Sequence, residues 1–106
     1  MVTRADLPPG VQCCQAVHAA FEFALTHRDF TAEWRAASNT VALLAAPDEL
    51  ALAWLCQDAI AAGLRLARFH EPDLGAALTA VALEPAAQPL LTHLPTVLSR
   101  RKEVKT

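Results

Sequence analysis

DLPPGVQCCQAVHAAFEFALTH, residues 6–27, is the stretch that decides the fold, because it joins a turn to a long helical pattern. Pro8-Pro9 disfavours helix before residue 9, whereas proline is well tolerated in the first helical turn. Apolar residues recur at helical spacing from Val11 onward, so the pattern predicts a helix that ends at about His27. The residues expected on one apolar, core-facing side are Cys13, Cys14, Val17, Ala20, Phe21, Ala24 and Leu25.

His18 lies at the border between this apolar side and the polar side of the predicted helix. Gln15 precedes it by about one turn and Glu22 follows it by one turn, so both can reach the imidazole. One interpretation is a half-buried boundary histidine that meets Glu22 or water. The other is a functional imidazole, and the residues around the helix favour it.

The strings on both sides of the turn resemble motifs of a known family. Arg4-Ala5-Asp6-Leu7 is similar to a strand end R-[ST]-D-L, and Gln15-Ala16-Val17-His18-Ala19 is similar to A-Q-x-x-H-A. These are motifs of the type-two peptidyl-tRNA hydrolases, the archaeal and eukaryotic type, of which this chain resembles a bacterial branch. The family's histidine is a proposed catalytic residue, so the resemblance implies that His18 activates a water molecule for ester hydrolysis.

A second part of the resemblance lies far along the chain. Glu71-Pro72-Asp73-Leu74-Gly75 is similar to the family's D-x-G-x-T, and residues 79–85 are similar to T-V-x-A-I-G-P. The loop between these strings is shorter here, so either Glu71 or Asp73 corresponds to the family's aspartate. Glu71 is preferred because it is closer to the predicted strand, although an ordinary acidic turn explains the string equally well. Thr79 is expected to donate a hydrogen bond to the developing oxyanion.

One departure from the family concerns a lysine. The family has G-K-x-A-A-Q-x-x-H-A, whereas this chain has Val11 after Gly10 and contains no lysine before Lys102. The function of that ammonium is therefore absent or supplied by an arginine, with Arg4 and Arg68 as the candidates. The residues predicted to contribute to binding are Arg4, Asp6, Gln15, Asn39 and Arg68, with Asn39 or a free amide at the helix N-terminus as a second oxyanion donor.

Composition predicts one globular domain. The chain has 106 residues, of which 54% are hydrophobic, and no apolar run reaches the length of a membrane span. The first residues lack the apolar centre of a signal peptide, so a cytoplasmic protein is expected. The three cysteines show no C-x-x-C spacing, and we predict no disulfide, no metal site and no cofactor. The expected domain covers residues 1–99, followed by a basic, disordered tail over 100–106.

Charge is the feature that agrees least with a nucleic-acid substrate. Residues 1–99 contain five arginines and ten acidic residues, because four of the nine basic residues lie in the tail. Neutralisation of phosphates supplies much of the affinity of nucleic-acid-binding proteins. The acidic balance therefore counts against tight tRNA binding and leaves weaker binding open.

Outward from the first helix, the pattern predicts the order strand, helix, helix, strand, helix, strand, strand. The predicted elements are strands at 1–5, 39–45, 64–70 and 79–83, helices at 11–27, 29–38 and 47–63, a turn at 71–75 and a short helix within 88–98. The run at 39–45 is expected to be a central strand. The fold class is therefore α/β, a single domain with a small mixed sheet of about four strands and helices on both faces.

Two functional hypotheses follow. The first is an esterase similar to peptidyl-tRNA hydrolases, in which His18 and an acid from the 71–73 turn hydrolyse a tRNA-linked acyl ester. The second is a non-catalytic binding or regulatory module with the same fold, favoured by the missing lysine, the shortened loop and the acidic body. A homodimer is expected in either case, because a truncated first strand would leave an open sheet edge.

Overall fold

Strands and helices follow one another in the order that the sequence predicts, in a computed structural model that describes residues 1–97. The elements are β1 (Val2–Arg4), α1 (Pro9–Thr26), α2 (Arg28–Ala37), β2 (Leu44–Ala46), α3 (Glu49–Ala61), β3 (Leu66–Glu71) and β4 (Ala77–Leu83), with 3-10 turns at Pro72–Leu74 and Pro85–Leu90. The prediction of a single α/β domain with a four-stranded mixed sheet is confirmed. The predicted domain boundary at residue 99 and the tail at 100–106 lie outside the described residues.

The sheet order is β2-β1-β4-β3, with β1 parallel to β2 and antiparallel to β4, and with β3 antiparallel to β4. The predicted central strand at 39–45 is therefore wrong in place and length, because β2 has three residues and lies beside β1 alone among the named strands. Pro95 and Val97 form hydrogen bonds along its outer side, to Ala45 and Leu43. Since β1 is an interior strand, an open β1 edge gives no reason for a dimer.

Large apolar side chains fill the space between α3 and the sheet. Leu52 is fully buried there, together with Val2, Val81 and Cys56. Asp48 caps the N-terminus of α3, because its carboxylate accepts a hydrogen bond from the Ala51 amide at 2.9 Å. This face therefore has the composition of an ordinary hydrophobic core, and burial raises the pKa of the Cys56 thiol to about 11.

Small side chains lie between α1 and the other face of the sheet. Ala19 packs against Ala80 and Ala82 of β4, and the other buried residues of α1 are Gln12, Gln15 and Ala16. The predicted apolar side of α1 is therefore wrong: it points outward, and Phe21 is 66% exposed. The buried side carries alanines and glutamines, whereas the larger apolar side chains lie on the other side, so apolar spacing predicted the wrong side.

The second predicted helix forms but contributes little to the core. No residue of α2 is buried, and Trp34 is only half-buried on this helix. The short helix expected within 88–98 is replaced by the earlier 3-10 turn at 85–90, which begins at Pro85 and contains Pro89. Within residues 1–97, no helix combines the length and the apolar composition needed to cross a bilayer.

Candidate active site

A β-bulge in β4 places Thr79 on the α1 face of the sheet. The register passes from Phe69↔Ala80 to His70↔Leu78, so Thr79 is an extra residue in β4. A bulge changes the direction of a side chain locally. Here it allows two consecutive residues, Thr79 and Ala80, both to point toward α1. The Thr3 hydroxyl of β1 donates a buried hydrogen bond to the Thr79 carbonyl at 3.0 Å and holds the bulge against its neighbour.

Gln15 connects the bulge to the end of β3. The Thr79 hydroxyl donates to Gln15 Oε1 at 2.6 Å, and Gln15 Nε2 donates to Glu71 Oε1 at 2.9 Å. Thr79 is fully buried and Gln15 is only 5% exposed. Because the Thr79 hydroxyl donates its proton to the amide oxygen of Gln15, the amide nitrogen of Gln15 must face the Glu71 carboxylate. The three side chains therefore form one directed chain of hydrogen bonds.

Glu71 is the acid that this chain of hydrogen bonds brings to α1. Its second oxygen accepts a hydrogen bond from the backbone amide of Asp73 at 3.1 Å. The hydrogen bond from Gln15, then that amide, then the charge of His18 together lower the pKa of Glu71. Asp73 itself is exposed in the turn that follows. The preference for Glu71 over Asp73 agrees with this placement, because Glu71 alone of the two bonds to Gln15 through its side chain.

His18 contacts β3 through its ring, on the side of the sheet where its charge acts on the Glu71 carboxylate. The imidazole stacks on the Phe69 ring with 4.5 Å between centroids and 12° between the ring planes. Phe69 precedes Glu71 by two residues, so both side chains point to the same face of the strand. His18 is exposed to solvent on its other sides. The structure thus brings His18, Gln15, Glu71 and Thr79 together.

Thr79 is enclosed too completely for its expected role. An oxyanion donor has to reach the reacting group, whereas this hydroxyl has no solvent exposure and donates to Gln15. Thr79 is instead placed to orient Gln15 and, through Gln15, Glu71. The prediction of a direct contact between Thr79 and the substrate's oxyanion does not fit the structure.

Arg4 and Asp6 form an ion pair with each other. Arg4 Nε and Nη2 donate to the two oxygens of Asp6 at 3.0 and 2.9 Å, and Nη1 donates to the Leu78 carbonyl at 3.1 Å. This hydrogen bonding raises the pKa of Arg4 and lowers that of Asp6. The pair fastens the end of β1 to β4, so the expectation that Arg4 replaces the missing lysine is not met by its contacts.

Arg68 and Asn39 lie away from His18. Arg68 and His70 point to the α3 face of the sheet, where they line a recess with Glu49 and Gln57. Asn39 has a left-handed backbone with φ of 56° in the exposed loop after α2. Strand alternation thus separates Arg68 from His18, and the contributions of Arg68 and Asn39 to binding stay predictions.

An apolar cavity of about 580 Å³ lies on the far side of α1 from His18. Ala20 and Ala24 of α1 line it, together with Phe23, Phe30 and Trp34. Within residues 1–97, no group of three or more His, Cys, Asp and Glu side chains is placed to hold a metal ion.

Two contacts at the site were absent from the sequence argument. Phe69 contacts the imidazole, and strand alternation could have indicated it as the residue two positions before Glu71. Gln12 donates to the Leu7 carbonyl at 2.6 Å and fixes the turn before α1. A glutamine in an apolar stretch was the available signal for that buried contact.

Fold and site together define a small α/β domain in which an exposed imidazole and a fixed carboxylate lie on the same side of the sheet, an arrangement suited to acid–base chemistry. The family model described as Peptidyl-tRNA hydrolase PTH2 matches residues 4–99, and the chain belongs to this family. The resemblance that the motifs indicate is therefore confirmed. No match was found among curated proteins.

Proposed function

We propose that this protein hydrolyses the ester that joins a peptide, or another acyl group, to the 3′ ribose of tRNA. The observation that carries the proposal is an exposed His18 whose charge acts on Glu71, a carboxylate held by hydrogen bonds from the buried Gln15 and from the Asp73 amide. Membership of the peptidyl-tRNA hydrolase family supports the same substrate class. The proposed setting is the cytoplasm, where such hydrolysis recycles tRNA in translation quality control.

The reaction that these groups support is attack of water on the ester carbonyl. His18, as a neutral imidazole, accepts a proton from the water while the water oxygen forms a bond to the carbonyl carbon. The bond between that carbon and the ribose oxygen then breaks, and the imidazolium returns its proton to the leaving oxygen. The products are a peptide with a free carboxyl group and tRNA with a free 3′ hydroxyl.

Glu71 contributes through its charge and its fixed position. A carboxylate beside the imidazole favours the imidazolium that forms during attack. Gln15 and the Asp73 amide hold that carboxylate in one place, so little reorganisation accompanies the proton transfer. The acid is thus expected to stabilise the charged intermediate, while His18 moves the proton.

The direct test is release of labelled peptide from peptidyl-tRNA by the purified protein. We expect His18→Gln to lower kcat by about 10²- to 10⁴-fold, the usual contribution of a general base. His70→Gln is the matched control, because His70 lies on the α3 face of the sheet and should leave kcat unchanged. No hydrolysis by the parent at high enzyme concentration, or full activity in His18→Gln, would contradict the proposal.

The pH dependence separates the two groups. Glu71 titrates below its ordinary value of 4.5, so its carboxylate stays ionised at and above that pH, and the stability that it adds is lost only as the pH falls further. An acid limb of kcat above about pH 5 must then come from another group, and His18 as the proposed base accepts a proton from water only when its imidazole is neutral. We expect Glu71→Gln to keep this limb and His18→Gln to remove it. A limb that disappears in Glu71→Gln alone would assign the base to Glu71.

A non-catalytic binding module is the second candidate, favoured by Val11 at the family's lysine position and by the pairing of Arg4 with Asp6. Both features reduce the positive charge available to phosphates near the site. Titration with tRNA and with peptidyl-tRNA distinguishes the candidates. Binding of peptidyl-tRNA without release of peptide would support the module.

A further inference from the structure

We propose that Phe69 is a positioning residue for His18, which it holds in the orientation needed to accept a proton from water. The inference rests on the function proposed above and adds a residue that the family motifs in this sequence do not include. It is carried by the parallel contact of the two rings, with 4.5 Å between centroids and 12° between planes. An exposed histidine on a helix would otherwise change its side-chain rotamer freely.

The geometry of the stack suits proton transfer. Phe69 covers one face of the imidazole, and a parallel contact leaves the edges of the ring, which carry both nitrogens, uncovered. A perpendicular contact would instead turn an edge of the imidazole toward the phenyl ring and remove a nitrogen from use. The observed angle therefore restricts the imidazole without blocking its chemistry.

Phe69 is itself held by the fold. Its ring packs against the small residues Ala19, Ala80 and Ala82 between α1 and the sheet. Its carbonyl oxygen lies 3.3 Å from the Thr79 hydroxyl oxygen, so β3 contacts the bulge at this point. A larger residue at Ala19 or Ala80 would compete with the phenyl ring for this space.

β3 also sets the spacing between the imidazole and the carboxylate. Phe69 contacts His18, and Glu71, two residues further, accepts from Gln15 on the same face. Two residues of a strand span about 6.6 Å, a distance that a rigid strand maintains. His18 and Glu71 are thus positioned by one strand, and misplacement by about 1 Å can lower a rate by about 10²-fold.

The kinetic test compares Phe69→Leu with Phe69→Tyr. Leucine fills much of the space but cannot stack, so we expect kcat to fall by about 10- to 100-fold while KM changes by less than about two-fold. Tyrosine restores the ring and should recover most of kcat. Phe23→Leu is the matched control: Phe23 packs against the same alanines, but its ring contacts are His27 and Phe30, so kcat should not change.

An NMR measurement tests the placement without any substrate. Protons above a phenyl ring are shifted upfield, so the imidazole protons of His18, assigned by their loss in His18→Gln, should lie upfield of those of an exposed histidine. The shift should disappear in Phe69→Leu and persist in Phe69→Tyr. Its absence from the parent would overturn the inference, since the stack would not form in solution.

The outcomes separate this inference from the proposed function. If the parent hydrolyses peptidyl-tRNA and Phe69→Leu retains the parent kcat, the role of Phe69 is overturned and the function stands. The same conclusion follows if Phe23→Leu loses as much kcat as Phe69→Leu. If the parent hydrolyses nothing, the proposed function fails together with the role in catalysis, while the NMR shift still reports whether Phe69 holds the ring.

Discussion

The two faces of the sheet are packed with different kinds of side chain. Between the sheet and α3 lie large apolar side chains such as Leu52 and Val81. Between the sheet and α1 lie alanines and the polar side chains Gln15 and Thr79, both buried and hydrogen-bonded to each other. One face thus has the composition of a stabilising core, and the other has the composition of a site that holds polar groups at fixed positions.

A small domain can in this way combine stability with buried polar groups. Alanines allow α1 to lie close to β4, so that the short side chain of Thr79 can reach Gln15. Each buried polar group on this face must keep its partner, because an unpaired one costs about 1–3 kcal/mol. The apolar α3 face supplies the free energy that makes this arrangement tolerable.

Substitutions on the α3 face of the sheet should lower the free energy of unfolding most. Leu52 is fully buried, and Leu52→Ala should lower the free energy of unfolding by about 2–5 kcal/mol through lost burial and a cavity. Denaturant unfolding measures this change, and kcat per folded molecule should remain that of the parent. Ile60→Ala on the same helix is the control, with a much smaller cost because Ile60 is 46% exposed. Equal losses of unfolding free energy in the two variants would contradict the placement of Leu52 in the core and of Ile60 at the surface.

The next effect concerns the α1 face. Thr79→Val removes the hydroxyl that bonds Gln15 Oε1 and should cost about 1–3 kcal/mol of unfolding free energy. The amide of Gln15 then loses its fixed orientation toward Glu71, so kcat should fall as well. Thr79→Ser keeps the hydroxyl and is expected to retain most of kcat. If valine and serine have the same kcat at position 79, the chain of hydrogen bonds has no role in the site.

A substitution with little expected effect on stability tests which side of α1 faces solvent. Phe21 points away from the sheet, and Phe21→Gln should change the free energy of unfolding by no more than about 0.5 kcal/mol. Thermal or denaturant unfolding at low protein concentration measures the change. A loss above about 2 kcal/mol would mean that Phe21 is buried, as the sequence pattern alone suggests.

Much of the fold could be predicted from local signals. Pro8-Pro9, Pro47-Asp48-Glu49 and Gly63 indicate helix ends, and Gly63 indeed follows α3 with φ of 73°. The buried side of α1 could not be predicted from apolar spacing, because that side carries two glutamines and the larger apolar side chains lie opposite. The edge position of β2 depends on pairings between distant segments, which a local pattern does not contain.

The candidate site could be predicted only where a motif names its residues. His18, Gln15 and Glu71 follow from strings that resemble the family, and their contacts bring them together. Arg68 does not join this group, because side chains one position apart along a strand point to opposite faces of the sheet. Phe69 was missed because its role appears only when β3 and α1 are packed against each other.

We propose that His18 and Glu71 act as one unit, and a double-mutant cycle on peptide release from peptidyl-tRNA is the test of this coupling. The cycle measures kcat for the parent, His18→Gln, Glu71→Gln and the double variant. We predict that the double variant is no slower than His18→Gln, because the carboxylate acts through the imidazolium. Losses that multiply in the double variant would show that the two side chains act independently and would contradict the account.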